Sequence, residues 1–297
     1  EFDMSEKAIR SVGRDRIAVR GVARKLSPDD ASFVVLFADD DSEQARMEAT
    51  RRDFVANVSH ELKTPVGGIS LLAEAVMDAK DDPQAVDRFA RRMQGEAVRL
   101  SSLIKEIVEL SRLQGQNVVT SGGPVELGRV VAEAVDRNRL AAETRHIEVK
   151  VGGRIDTPVF GDPDMLVTAV RNLIDNAVRY SPEHTRVGVV LRERNGMAQI
   201  TVTDQGPGIS ETEQDRIFER FYRVDSARSR QTGGTGLGLS IVKHVMAQHG
   251  GEVSVWSQPG RGSTFTLQIP LMEDPDEQNG PPPSGGAHRR QRVEERA

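Results

Sequence analysis

The sequence predicts an α+β protein: a helical hairpin that pairs with a second copy into a dimeric four-helix bundle, followed by an α/β sandwich. Two observations lead to this prediction. Residues 41–115 repeat apolar side chains at three-and-four spacing, which is the period of amphipathic helices. Residues 118–271 mix helical and strand patterns that do not alternate one for one, which favours a single sheet covered on one face over a doubly wound fold.

Composition excludes several classes of function. A chain of 297 residues suits about two domains, and 37% hydrophobic with 29% charged residues is a globular composition. The net charge of −5, with Lys and Arg spread along the chain, gives no indication of a nucleic-acid partner. Cysteine is absent, which excludes disulfides, thiolate zinc sites and cysteine nucleophiles.

Residues 1–40 hold two short β-prone runs, 17–22 and 32–38, which are too little for a domain. We expect them to be the remnant of an upstream module. No run approaches the roughly 18 apolar residues that a membrane span needs. The chain begins with Glu-Phe rather than Met, so it is either part of a longer protein, with any membrane anchor upstream, or carries residues introduced by cloning.

The first helix carries Phe54, Val58 and Leu62 on one face. At about 100° per residue, His60 lies about 200° from both Val58 and Leu62, so its imidazole points away from the apolar stripe. Pro65 has no N–H for the helical hydrogen bond four residues back, and its ring crowds that carbonyl. We therefore expect a bend just after the histidine, at a cost of about 3 kcal/mol unless it is compensated.

The first helix should end near residues 80–82, where Asp82 is a good N-cap and Pro83 a good first-turn residue for a second helix. Apolar residues continue along that helix at helical spacing: Phe89, Met93, Leu100, Ile104, Ile107 and Leu113. One hairpin cannot cover both of its apolar stripes, so we expect two copies to pair into a homodimer.

A polar joint follows residue 114, and a mixed domain begins near residue 118. The patterns predict helices at 127–143, 163–180 and 240–249, and strands at 147–151, 186–192, 198–204, 251–257 and 263–269. The tail, residues 272–297, has too little apolar content to fold and is expected to be disordered.

Asp204 stands where a predicted strand runs into Gln205-Gly206-Pro207-Gly208. The glycines would let a flat ligand approach the backbone, and the carboxylate could accept a hydrogen bond from an exocyclic amine such as that of adenine. Alternatively, Asp204 simply opens an Asp-Gly turn between two strands.

Glycines at alternate positions, Gly234, Gly236 and Gly238, open the next predicted helix. Such a loop exposes N–H groups backed by the helix dipole and can bind phosphates. No strand runs directly into the loop, which argues against a Rossmann site, and the Gly-Lys-Ser/Thr of a Walker loop is absent. Alternatively, the loop is only flexible.

Asn172, Asn176 and Arg179 recur at i, i+4 and i+7, so they share one face of a predicted helix. Amide oxygens suit Mg²⁺ that bridges phosphates, and the guanidinium suits the phosphates themselves. A solvated polar face is the alternative.

These motifs together resemble a known family. The chain contains, in order, N-x-x-x-N, D-Q-G-P-G-I, I-F-E-R-F-Y-R, G-G-T-G-L-G-L and G-S-T-F, which are similar to the N, G1, F, G2 and G3 boxes of sensor histidine kinases. With S-H-E-L-K-T-P upstream, the likeness covers about residues 50–270. D-F-V-A-N-V-S-H-E-L-K-T-P-V-G and E-L-S-R-L-Q-G resemble the actinobacterial phosphate-responsive members in particular.

The resemblance implies a Bergerat-type ATP-binding domain at residues 118–271. It makes Asn172 and Asn176 the Mg²⁺ and phosphate face and Asp204 the adenine acceptor, with Gly206 and Gly208 beside it. The other implied nucleotide-site residues are contacts to phosphate and ring, the F box under a mobile lid, and the phosphate loop: Arg179, Tyr180, Phe218, Phe221, Gly234, Gly236, Leu237 and Gly238. The lid would span the polar, basic stretch between Tyr222 and Gly233.

The same resemblance makes residues 41–115 a dimerisation and phosphotransfer hairpin, with His60 as the residue that ATP phosphorylates. A neutral ring nitrogen attacks the γ-phosphorus while an acceptor holds the other nitrogen, and Glu61 is the expected acceptor. Thr64 lies one turn away on the same face and could position water for dephosphorylation. The implied partner is the receiver domain of a response regulator, and the implied location is the cytoplasmic side of a membrane-attached parent. Residues 1–40 then resemble the last strands of a PAS-like sensor module.

Two alternatives stay open on the sequence. The related gyrase, chaperone and mismatch-repair ATPases are ATP-gated clamps, but a clamp has no use for S-H-E-L-K-T-P. A catalytically silent dimeric scaffold or a pure phosphatase is the other alternative, although no box needed for catalysis is visibly broken.

Overall fold

The computed structural model describes residues 19–26, 33–115, 118–224 and 234–272. It divides into two compact units, and the division falls between Glu109 and Leu110. Gly234 and Thr235 group with the first unit. The expected disordered tail, apart from residue 272, lies outside the described residues. So do residues 225–232 of the expected lid and residues 17 and 18 of the first β-prone run.

The first unit opens with a two-stranded antiparallel hairpin, β1 (Val19–Leu26) paired with β2 (Phe33–Asp40). These strands correspond to the two predicted β-prone runs. Their origin in a PAS-like module stays a prediction.

Two long helices follow, α1 (Ser42–Asp78) and α2 (Pro83–Gln114), joined by a four-residue connection. Helix α1 ends at Asp78, slightly before the predicted end. Asp82 caps α2 as predicted, because its Oδ1 accepts hydrogen bonds from the N–H groups of Gln84 at 3.0 Å and Ala85 at 3.1 Å. The predicted helical hairpin is therefore confirmed.

Helix α1 continues through Pro65, whose side chain is buried. Pro65 has no N–H to donate to the carbonyl oxygen of Glu61. One residue earlier, the hydroxyl of Thr64 donates to the carbonyl oxygen of His60 at 3.2 Å. The bend expected at this point stays a prediction.

The strands of the second unit are β3 (Gly123–Val125), β4 (Glu148–Gly153), β5 (Val159–Gly161), β6 (Arg186–Arg194), β7 (Met197–Thr203), β8 (Glu252–Gln258) and β9 (Gly262–Pro270). Its helices are α3 (Val118–Ser121), α4 (Leu127–Thr144), α5 (Pro163–Tyr180), α6 (Glu211–Gln214) and α7 (Gly238–Gln248), with a 3₁₀ turn at Arg216–Phe218. Five of the strands form one sheet with the order β4-β6-β7-β9-β8. Strands β4 and β6 are parallel, and the other neighbouring pairs of this sheet are antiparallel.

Helices α4, α5 and α7 form one layer against this sheet. The strands alternate accordingly: Ile200 and Val202 of β7 and Leu267 of β9 are buried, whereas Thr201 between the first two is only half-buried. This arrangement confirms the predicted sheet covered on one face. The short antiparallel ladder of β3 and β5 was not predicted from the sequence.

His249 ties the end of α7 to the start of α5. Its buried imidazole lies with Nδ1 2.7 Å from the carbonyl oxygen of Val245, and its Nε2 accepts from the N–H of Asp162 at 3.1 Å. A side chain at Gly161 would overlap this ring. Because Nε2 accepts, the neutral ring is the form that fits, and burial lowers the pKa of His249.

Within the described ranges, no helix combines the length and the apolar composition that crossing a membrane would require.

Candidate functional site

His60 lies on α1 with its side chain exposed to solvent. Phe54, Val58 and Leu62 are half-buried, so the histidine and the apolar stripe occupy different faces, as the spacing predicted. Thr64 is exposed one turn further along. An exposed imidazole on a helix is accessible to an electrophile that another domain carries.

Glu61 forms an ion pair across the helical hairpin. Its Oε2 lies 3.6 Å from Nη2 of Arg99 on α2, and the two side chains are only 28% and 12% exposed. Nη1 of Arg99 also lies 3.8 Å from Oε2 of Glu96. The carboxylate next to His60 thus interacts with the opposite helix in this structure, and its contact with the imidazole stays a prediction.

In the second unit, Asp204 directly follows β7 and is 7% exposed. Its Oδ1 accepts hydrogen bonds from the N–H groups of Gly206 at 2.8 Å and Ser263 at 3.1 Å. Burial raises the pKa of the Asp204 carboxyl, and the hydrogen bonds from Gly206 and Ser263 partly offset the rise. Both of these N–H groups bind Oδ1, so they leave Oδ2 able to accept from a ligand. The side chain of Ser263 also hydrogen-bonds to the carboxyl group.

Both glycines after Asp204 are required by close contacts. A Cβ at Gly206 would lie 2.9 Å from Oδ1 of Asp204 and 3.2 Å from the carbonyl oxygen of Tyr180. Gly208 has a φ of 73°, and a Cβ there would overlap the carbonyl oxygen of Gln258. This loop therefore lies directly against the end of α5 and the end of β8.

The amide of Asn172 is oriented by its own helix. Nδ2 donates to the carbonyl oxygen of Thr168 at 2.8 Å, which directs Oδ1 toward the start of α7: a Cβ at Gly238 would lie 3.0 Å from that oxygen. Asn176 is half-buried one turn further on. The two amides fit a Mg²⁺ ion that takes its other ligands from phosphates and water. Across the described residues, no cluster of three or more acidic or histidine side chains suits a metal.

Helix α7 begins at Gly238, and no side chain caps it. The first N–H groups of a helix have no partner within the helix, and they bind anions with help from the dipole. Gly236 has a φ of 79° and accepts from the N–H of Phe221 at 2.9 Å. Of the predicted phosphate loop, Gly236, Leu237 and Gly238 therefore belong to this unit, whereas Gly234 falls in the first.

Arg179 and Tyr180 end helix α5. Nη2 of Arg179 lies 2.8 Å from Oδ2 of Asp175, so the guanidinium has an acidic partner on its own helix. The side chain of Tyr180 is 41% exposed. Contact of these two residues with a nucleotide stays a prediction.

The two phenylalanines of the predicted F box have different surroundings. The ring of Phe218 packs edge-on against Phe265, with centroids 6.5 Å apart. Phe221 has a φ of 63° and bonds to Gly236 through its backbone. In this structure, Phe218 supports the sheet and Phe221 holds the loop before α7.

Three residues that the sequence analysis did not single out contact the predicted site. Ser263 donates to Asp204, the hydroxyl of Ser181 accepts from the N–H of Gln205 at 3.3 Å, and Arg99 holds Glu61. Only Ser263 had a signal in the sequence, because it belongs to the quoted G-S-T-F segment.

Two protein-family descriptions match these regions. Residues 50–116 match the His Kinase A (phospho-acceptor) domain, and residues 161–273 match the histidine kinase-, DNA gyrase B-, and HSP90-like ATPase family. A sensor-like histidine kinase SenX3 of Mycolicibacterium smegmatis is 53% identical over 276 residues, which cover 93% of this chain and 72% of that protein. The chain belongs to the sensor histidine kinases.

Further relatives agree with this assignment. The phosphate regulon sensor protein PhoR of Pseudomonas aeruginosa is 34% identical to this histidine kinase over 226 residues, 75% of this chain and 51% of that protein. Histidine kinase ThkA, solved in complex with response regulator protein TrrA, superposes with a TM-score of 0.57 at 20% identity. That match covers 89% of this chain and 78% of ThkA, and it supports the fold.

The activity of this chain is therefore that of a protein-histidine kinase in a two-component system, and it uses ATP. The clamp and scaffold alternatives are not favoured.

Proposed function

We propose that this kinase binds Mg-ATP in its second unit, phosphorylates His60, and passes the phosphoryl group to an aspartate of a response-regulator receiver domain. The observation that carries the proposal is the exposed His60 on a helix that matches the phospho-acceptor family. The match of the second unit to the histidine-kinase ATPases identifies the donor.

The nucleotide site divides into an adenine end and a phosphate end. Asp204 accepts the adenine amine through Oδ2, and Gly206 and Gly208 let the ring lie against the backbone. The start of α7 binds the phosphates, and Asn172 with Asn176 holds Mg²⁺ beside them. When bound, the metal neutralises phosphate charge and orients the γ-phosphoryl group.

Four further groups complete the site. Tyr180 flanks the nucleotide ring, and Arg179 moves from Asp175 to a phosphate when ATP is bound. Gly234 joins Gly236 in the phosphate loop under the lid. Phe218 and Phe221 anchor the base of that lid.

In the transfer step, one imidazole nitrogen of His60 forms a bond to the γ-phosphorus while the bond from phosphorus to the bridging oxygen of ADP breaks. The other nitrogen keeps its proton and donates it in a hydrogen bond to Glu61, which steadies the growing positive charge. Glu61 must therefore turn from Arg99 to the imidazole before transfer. Thr64, one turn away, positions water in a second, phosphatase activity.

A homodimer and an upstream membrane anchor belong to the same proposal. The helical hairpin leaves large apolar side chains exposed in a single chain: Val55, Val66, Leu71, Met77, Val98, Ile104 and Val108. Pairing of two hairpins would bury that surface. The likeness to PhoR suggests a phosphate-linked signal, received by a parent protein attached to the membrane with this portion in the cytoplasm.

The test is transfer of radiolabel from γ-labelled ATP with Mg²⁺. We expect an acid-labile, base-stable label that His60→Gln abolishes and that His288→Gln, a change at a histidine of the C-terminal tail, retains. Label that survives His60→Gln would disprove the phosphoacceptor. Asn176→Ala should lose the label with the metal, and a monomeric mass at micromolar concentration would contradict the dimer.

A further inference from the structure

Arg145 follows α4, and its guanidinium donates hydrogen bonds to the backbone carbonyls at the end of α5. Nη1 donates to the carbonyl oxygens of Val178, at 3.0 Å, and Arg179, and Nη2 donates to that of Ser181 at 3.1 Å. The last carbonyls of a helix lack partners within the helix and carry the negative end of its dipole. One half-buried cation therefore fixes the path of the chain where α5 ends.

That stretch of chain is one wall of the Asp204 loop. The hydroxyl of Ser181 accepts from the N–H of Gln205 at 3.3 Å, and the space beside Gly206 is bounded by the carbonyl oxygen of Tyr180. Ser181 is 1% exposed, so this contact is closed to water. A shift of residues 178–181 would consequently move the loop that presents Asp204.

The turn that carries Arg145 is itself held in place. The N–H of His184 donates to the carbonyl oxygen of Arg145 at 3.4 Å, and the rings of His146 and His184 stack with centroids 4.8 Å apart. Both histidines have positive φ, 53° and 63°. Arg145 therefore acts from a turn that is joined to the chain after α5 by a second set of contacts.

We propose that Arg145 is a positioning residue for adenine specificity, because it fixes the end of α5 against which the Asp204 loop is built. The inference rests on the proposed function, in which Asp204 accepts the adenine amine. At the phosphate end, Arg145 donates only to the backbone carbonyl of Arg179, whose guanidinium is held separately by Asp175. The described residues give Arg145 no hydrogen bond to Asn172 or to the start of α7, and the amide of Asn172 is oriented by Thr168. Its effect should therefore fall on recognition of the base and spare recognition of the triphosphate.

Lysine should not replace Arg145. The lysine ammonium is a compact charge, whereas the planar guanidinium supplies several N–H groups in fixed directions. Here the guanidinium donates to three backbone carbonyls, those of Val178, Arg179 and Ser181. Arg145→Lys keeps the charge, so it separates geometry from charge.

The experiment measures dissociation constants of the whole chain for Mg-ATP, Mg-ITP and Mg-tripolyphosphate by calorimetry. ITP carries a carbonyl in place of the adenine amine, and tripolyphosphate has no base. For Arg145→Gln and Arg145→Lys we expect ATP affinity to fall about tenfold, which is about the value of one hydrogen bond to a charged group, while ITP and tripolyphosphate affinities change less than about twofold. Arg139→Gln, which removes an exposed arginine from α4, the helix that Arg145 follows, is the matched control and should change none of these affinities.

A narrowed preference for ATP over ITP in either variant supports the inference. An unchanged preference, whether all three affinities fall together or none falls, overturns it, because general loosening of the domain would affect every ligand alike. If Arg145→Gln does not fold by circular dichroism, Arg145→Lys decides. Failure of the unmodified chain to prefer ATP over ITP would instead refute the role of Asp204 in the proposed function.

Discussion

Substitution of Asp204 by asparagine should separate stability from nucleotide binding. The amide oxygen of asparagine can accept both N–H groups that now bind Oδ1, at 2.8 and 3.1 Å, so the loop keeps its internal bonds. We expect the free energy of unfolding at neutral pH to change by less than about 1 kcal/mol, because a buried charge is exchanged for an amide of similar shape.

ATP binding should respond much more strongly. The substitution replaces the acceptor Oδ2 with an N–H donor that faces the adenine amine. The hydrogen bond from the amine to a charged acceptor is lost, and two N–H donors then face each other without an acceptor. Together these effects cost about 3 kcal/mol, or roughly 150-fold in the Kd for ATP. Calorimetric titration of Mg-ATP measures this change, and urea unfolding of the same sample measures stability.

The matched control is Asp162→Asn. Oδ1 of Asp162 also accepts two N–H groups, from Asp164 at 2.9 Å and Met165 at 3.1 Å, but Asp162 caps the far end of α5. It should leave ATP affinity unchanged, since asparagine is an equally good cap. ATP affinity preserved in Asp204→Asn, or lost equally in both variants, would refute the assignment of Asp204.

The raised pKa of Asp204 gives a pH signature. As pH falls, this carboxyl takes up its proton sooner than an ordinary aspartate, so ATP binding should weaken at a correspondingly higher pH. The folded state binds that proton more readily than the unfolded state, so Asp204 itself does not destabilise the fold on acidification, and its contribution to stability declines only as pH rises through the raised pKa. Asp204→Asn should remove this part of the binding profile.

Three further predictions concern the helical hairpin, the Asp204 loop and the core. Arg99→Gln releases the Glu61 carboxylate from its ion pair, so we expect the initial autophosphorylation rate to rise about threefold. Arg91→Gln breaks an exposed ion pair on the same helix and should leave that rate unchanged. A rate that falls with Arg99→Gln would contradict the proposed mechanism. Gly208→Ala should lower the free energy of unfolding by at least about 2 kcal/mol, because Gly208 has a positive φ and the new Cβ would overlap backbone. A Cβ at Gly188 would meet no neighbouring atom, so Gly188→Ala should change the free energy of unfolding by less than about 1 kcal/mol in the same urea titration. Burial lowers the pKa of His249 below its ordinary 6.5, so the unfolded chain gains a proton first and stability should decline as pH falls through 6.5 towards the lowered pKa; a stability profile that His249→Gln does not flatten would refute this.

Elements with a strong local pattern were predictable. Helix α5 was predicted at its observed bounds, and the central strands to within two residues, because apolar periodicity and turn residues mark them. The three-residue strands β3 and β5 were not, since their pairing joins segments more than 30 residues apart and leaves no periodic signal in either. The end of α1 was predicted late because Lys80 and Asp81 continue a helical composition into the connecting turn.

Site residues divide in the same way. The exposure of His60 followed from helix geometry alone, and the position of Asp204 at a strand end followed from the strand pattern, but the burial of Asp204 was not predicted. The ion-pair partner of Glu61 could not be predicted from the sequence, because Arg99 lies on the other helix and only the packing of α1 on α2 brings the two residues together. The Arg179 to Asp175 pair could have been found, as its i, i+4 spacing is visible in the sequence.

The ion pair between Glu61 and Arg99 makes the environment of that carboxylate depend on the register of two helices. The acid is on α1 and its counter-ion on α2, and Coulomb attraction falls inversely with distance. A helix shift that lengthened the separation from 3.6 Å by about 2 Å, a common amplitude in switching proteins, would weaken the attraction by about a third. Displacement of one helix along the other would thereby change the availability of one carboxylate, with no rearrangement at the nucleotide.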